Sequence, residues 1–129
     1  MSGERTAQVR RFQDSLPVAG LGYRFHHVGI PTTERREGEH YLADLKVWMS
    51  GFDSSPYGVE WLRFEADAPQ PLLVQTVPHI AFEVDDLDAA LEGTTVIFPP
   101  FKPFDGVRSA MIEDQGAPVE LMEFRRERA

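Results

Sequence analysis

A chain of 129 residues, 42% hydrophobic and 26% charged, is long enough for one domain with one core and short for two. A net charge of −8 and a pI near 4.9 argue against a nucleic-acid partner and against anionic membrane surfaces, both of which call for a basic face. The absence of cysteine excludes disulfides and thiolate metal sites, and with no apolar run of 18 residues and no secretory stretch in MSGERTAQVRRF, the expectation is a cytoplasmic protein without a membrane span.

In chain order, ERTAQVRRFQDSL (4–16) sets Val9, Phe12 and Leu16 on one helical face, and Pro17 reads as a stop. Residues 1–22 are therefore expected to form an N-terminal helical arm, and 23–129 the domain proper. YRFHHVGIP (23–31) reads as a strand ended by Pro31, and TTERREGEHYLADL as a broken helix or loop. KVWMSGF (46–52) and VEWLRFE (59–65) read as strands separated by a turn at 53–58 that carries Pro56 and Gly58. ADAPQP (66–71) is a proline-rich loop between the halves.

VPHIAFEV (77–84) is the next strand, and DDLDAALEG (85–93) a short helix with Asp at its start and Gly93 at its end. TTVIFPP reads as a strand stopped by Pro99 and Pro100. FKPFDG is a loop, VRSAMIED (107–114) a strand, QGAP a turn, and PVELMEF (118–124) the last strand.

The two halves echo one another. FHHVGI followed by VEWLRFE matches VPHIAFEV followed by VELMEF: a histidine in an opening strand, a Val-Glu pair in a closing one. Strand alternation puts Glu60 on a face with Leu62 and Phe64, and Glu120 on a face with Met122 and Phe124. His27 shares its face with Gly29, and His79 with Ala81, so small residues leave room beside both rings.

Taken singly, each histidine fits a core or surface role, and each glutamate a solvent-facing strand edge. The doubled pattern points further. An ionised carboxylate on an apolar face is costly unless paired or metal-bound. Two imidazoles and two carboxylates make a site for a borderline divalent ion: zinc or nickel first, then cobalt, manganese or iron. Alternation points His26 away from His27, into a structural or surface role, and His40, in the irregular stretch, reads as solvent-exposed, with the cavity mouth as the alternative. The phenylalanine- and proline-rich FPPFKPF reads as a pocket wall. Lys102 and Arg108 beside it read as surface residues, with an anionic substrate group as the alternative.

HHVGIP, PHIAFEVDDLDAAL and GAPVELMEF give the chain a resemblance, from about Phe25 to Phe124, to the vicinal oxygen chelate superfamily, which includes glyoxalase I, extradiol dioxygenases and bleomycin-resistance proteins. The resemblance implies an α+β fold: two βαβββ modules, about 23–66 and 77–124, whose mixed sheet curls around a metal. It implies His27, Glu60, His79 and Glu120 as metal ligands, the glyoxalase-like set. It also implies a lyase or isomerase that abstracts a proton next to a metal-chelated carbonyl of a small molecule, with Glu120 the first candidate base and Glu60 the second. A homodimer is the implied assembly. The rival reading is a non-catalytic small-molecule binding protein of the bleomycin-resistance type, with the carboxylates hydrogen-bonded instead of metallated.

Overall fold

The computed structural model describes residues 17–125. The helix read for 4–16, and the stop read at its end, lie outside them. Eight strands form one curled mixed sheet, a half-barrel, with short helices: α1 (Pro17–Gly20), β1 (Arg24–Pro31), β2 (His40–Leu42), β3 (Val47–Ser50), β4 (Val59–Phe64), α2 (Leu72–Thr76), β5 (His79–Val84), α3 (Leu87–Leu91), β6 (Thr95–Phe101), β7 (Val107–Asp114) and β8 (Ala117–Phe124). The spatial order is β2-β3-β4-β1-β5-β8-β7-β6. β1 runs parallel to β4, and β5 parallel to β8; β1 and β5 join the two halves antiparallel. Each half thus repeats one arrangement, with its opening strand innermost beside its closing strand.

Local chemistry explains the elements. Asp86 caps α3, its carboxylate accepting from the Ala89 amide at 3.1 Å, and Gly93 takes a left-handed backbone (φ 74°) just past the helix. The Leu87 amide donates to Glu123 Oε1 at 2.8 Å, tying the helix start to β8. Leu87, Val84, Ala110 and Leu121 form the core between α3 and the sheet, where each fully buried leucine contributes about 1.5–3 kcal/mol. Gln115 and Gly116 both have positive φ (52° and 82°), the two-residue turn that matches strand twist and sets the β7–β8 register.

Two readings need correction. Pro99 and Pro100 do not end their strand: β6 runs through both to Phe101. As the last strand of the sheet it has one side without a ladder, so missing amide donors cost little there. The stretch read as broken helix or loop contains β2, paired with β3, while 32–39 between β1 and β2 forms turns and bends and no helix. α2, just beyond the proline-rich loop, has no counterpart in the sequence reading.

Candidate metal centre

The four middle strands of the sheet, β4-β1-β5-β8, carry Glu60, His27, His79 and Glu120 in that spatial order. Register makes the arrangement nearly symmetric. Gly29 pairs with Glu60 across β1–β4, and Ala81 pairs with Glu120 across β5–β8. Across β1–β5, His27 stands opposite Ala81, and His79 opposite Gly29. Each histidine thus faces a small residue on the neighbouring strand. His27, His79 and Glu120 are buried, and Glu60 nearly so.

Three donor atoms converge. His27 Nε2 and His79 Nε2 lie 3.3 Å apart, and Glu120 Oε1 lies 3.1 Å from His79 Nε2 and 3.4 Å from His27 Nε2. These three residues are close enough to hold a metal ion. Ligand atoms about 2.1 Å from a tetrahedral centre are separated by about 3.4 Å, and by about 3.0 Å around an octahedral one, so the observed spacings fit either. Glu60 stands at the edge of this group and approaches from one side, with Oε1 3.5 Å from His27 Nε2.

Electrostatics separate the two carboxylates. Burial pushes Glu120 up, but hydrogen bonds and charge from His27 and His79 outweigh it and hold the carboxyl well below its usual range. For Glu60 burial dominates, the attraction of His27 and His79 falls short, and the pKa is raised. His27 feels burial against its charged form, yet the hydrogen bond to Glu120 and the charges of Glu120 and Glu60 raise it. Glu120 is thus an anion locked by two rings, and Glu60 a carboxyl with a reason to hold a proton.

His26 corrects the alternation argument. Phe25 pairs with Phe82 and His27 with the next residue, Ala81, which leaves His26 as the extra residue of a β-bulge. The bulge brings both imidazoles to one side: His26 Nδ1 lies 2.7 Å from His27 Nδ1, and the His26 ring stacks on Phe52, 5.1 Å between centroids and 8° from parallel. Metal-ligating histidines are held by a partner on the other ring nitrogen, and His26 occupies that position for His27.

Two spaces meet at the group. One is an apolar chamber of about 70 Å³, walled by Val47, Leu62, Phe64 and Met111 and, from the FPPFKPF stretch, by Phe98, Phe101, Pro103 and Phe104. The expected pocket wall is present. The other is a wider, more polar cleft lined by His26, Arg36, His40, Phe52 and Asp53. His27, Met49, Glu60, Phe104 and Met122 border both. His40 is exposed, as expected, and lines this cleft. Arg108 pairs with Asp88 at 2.7 Å, a surface role. Lys102 is exposed and lines neither space.

No protein-family model matches the chain. No curated protein matches it either. Among solved structures it is similar to the hypothetical protein BH1468 from Bacillus halodurans C-125, with a TM-score of 0.60 at 18% identity over 83% of this chain and 97% of that one. At that identity the likeness speaks for the fold alone. No helix among the described residues is long and apolar enough to cross a membrane.

Proposed function

We propose that this chain is a glyoxalase-like, metal-dependent lyase or isomerase of the vicinal oxygen chelate type, acting on a small molecule by proton abstraction next to a carbonyl. The two halves of the sheet are read as its two modules, the first with a loop in place of the helix. The observation that carries the reading is the meeting of His27 Nε2, His79 Nε2 and Glu120 Oε1 within 3.1–3.4 Å in a buried site. A divalent cation balances the two carboxylates, and zinc or nickel suits a nitrogen and oxygen donor set of this kind. His27, His79 and Glu120 would hold it, with Glu60 beside them as a fourth ligand.

Bound there, the ion would supply Lewis-acid polarisation of a substrate carbonyl. The chain's own residues do the rest. The chamber walls exclude water and seat the apolar part of the substrate. Glu60, tied to one ring only and raised by burial, takes the proton from the carbon next to the carbonyl and returns it to a neighbouring position. Glu120, gripped by both rings, stays an anion and a ligand, which reverses the order of base candidates that the resemblance implies. A homodimer belongs to the same proposal and is checked by sedimentation.

The test has two parts. Metal analysis of purified protein should find about one divalent ion per chain, lost in Glu120→Gln. Protein in D2O should place deuterium next to the carbonyl in a panel of 2-oxo aldehydes and 2-hydroxy ketones, and should stop doing so after chelation. A metal-free protein that still binds such compounds without exchange would establish the binding-protein rival instead.

A further inference from the structure

The apolar chamber contains one polar group that the proposed chemistry does not use. Gln70, 8% exposed, lies in the loop before α2 and lines the chamber. Outside His27, Glu60, His79 and Glu120, every other lining residue is apolar. The Gln70 amide is fixed in place: Nε2 donates to the Leu45 carbonyl at 2.8 Å, and its backbone carbonyl accepts from Gln75 Nε2 at 2.7 Å. Gln70 Oε1 is buried and has no hydrogen-bond partner among the described residues. A buried acceptor without a donor costs about 1–3 kcal/mol, so a packed core is expected to avoid it or to give it a use.

We propose that Gln70 is a specificity-determining residue, and that the substrate carries a short hydrocarbon arm ending in a hydroxyl or N–H that donates to Gln70 Oε1. The inference rests on the reading above, in which the oxygen-bearing end of the substrate sits at His27, His79 and Glu120. A cavity of about 70 Å³ has room for roughly five water-sized groups, which limits the arm to a few carbons. Phe98, Phe101, Met111 and Leu62 supply the apolar contact along it. The polar end then has one acceptor to meet. An arm without a donor leaves that acceptor unpaired, and an arm with a donor elsewhere loses its own hydration for nothing. The chamber thereby discriminates in the way buried polar groups do, more sharply than shape alone permits.

The test uses zinc-loaded protein and three hydroxamic acids as probes: acetohydroxamic, pentanohydroxamic and 5-hydroxypentanohydroxamic acid, titrated by calorimetry. The pentano arm should bind about tenfold or more tighter than the acetyl one through apolar burial. The terminal hydroxyl should tighten binding by about a further fivefold, the net worth of one hydrogen bond. In Gln70→Met the same hydroxyl should weaken binding, while pentanohydroxamic acid keeps its affinity. Should Gln70→Met fail to fold, a crystal of the wild-type complex decides, with the hydroxyl oxygen expected within hydrogen-bond distance of Gln70 Oε1. If the hydroxyl weakens binding to wild type, or lies away from Gln70, the proposal is overturned while the metal reading stands. If zinc does not bind at all, the metal reading falls and takes this inference with it; acetohydroxamic acid binding only in the presence of zinc separates the two failures.

Discussion

Gly29 stands directly opposite His79 across β1 and β5, and a Cβ at Gly29 would lie 2.2 Å from Cε1 of the His79 ring and 2.7 Å from its Nε2. The ring fills the space that a side chain would take. This contact, more than any special backbone angle, is why glycine stands there: Gly29 is absent from the positive-φ residues.

Gly29→Ala is therefore expected to keep the strand and push the His79 ring out of the cluster. Zinc affinity should fall at least about tenfold, the scale on which misplaced ligands and their supports act. Thermal stability of the metal-free protein should change far less. Calorimetric titration and circular dichroism on the same preparation check both halves.

His26→Phe preserves a ring to stack on Phe52 and removes the nitrogen facing His27 Nδ1. The expected result is a loss of about 10–100-fold in metal affinity, with the cobalt-substituted protein showing a shifted visible spectrum. An unchanged spectrum and affinity would mean that His27 is held by the bulge alone.

Glu60 and Glu120 should separate in function. Glu60→Gln should retain bound metal with a modest loss of affinity and lose proton exchange by about 10²–10⁴-fold. Glu120→Gln should lose the metal itself. Equal metal loss in both variants would make Glu60 an ordinary ligand and remove its role as base.

The pH dependence has a defined sign. Glu120, lowered, stabilises the fold above the unfolded carboxylate value of 4.5, and this is lost on acidification through its folded value. His27, raised, contributes stability that is complete below 6.5 and disappears as pH rises through its folded value. Glu60, raised, also costs stability as pH rises above 4.5. The metal-free protein should thus soften as pH rises above 4.5 and further as it rises above 6.5. Metal binding needs those same groups deprotonated, so the rise in Tm on adding zinc should grow over the same rise in pH. Parallel melting curves with and without zinc measure it.

Much of the site could be read from residue order. Strand alternation places Glu60 with Leu62 and Phe64, and all three line the chamber. It also places Glu120 with Met122, and His79 with Ala81. Where alternation held, the residues came out on the right face. It failed at His26, because a bulge adds a residue and resets the period, and a neighbouring pair of histidines carries no mark of one. It failed at Pro99 and Pro100, because edge position is a property of the sheet and not of the strand. β2, three residues of His-Tyr-Leu among polar neighbours, is a strand only because β3 offers it a ladder. Gln70 lies in a stretch that reads as a loop; it is anchored by the Leu45 carbonyl, 25 residues away, and by the Gln75 side chain, contacts that the sequence does not mark.

The most direct test is anomalous diffraction from crystals grown with zinc or nickel, with data on either side of the metal's absorption edge. The account predicts one strong peak per chain, about 2.0–2.2 Å from His27 Nε2, His79 Nε2 and a Glu120 oxygen. A well-ordered site with no peak there, at metal concentrations that saturate the protein in solution, would contradict it.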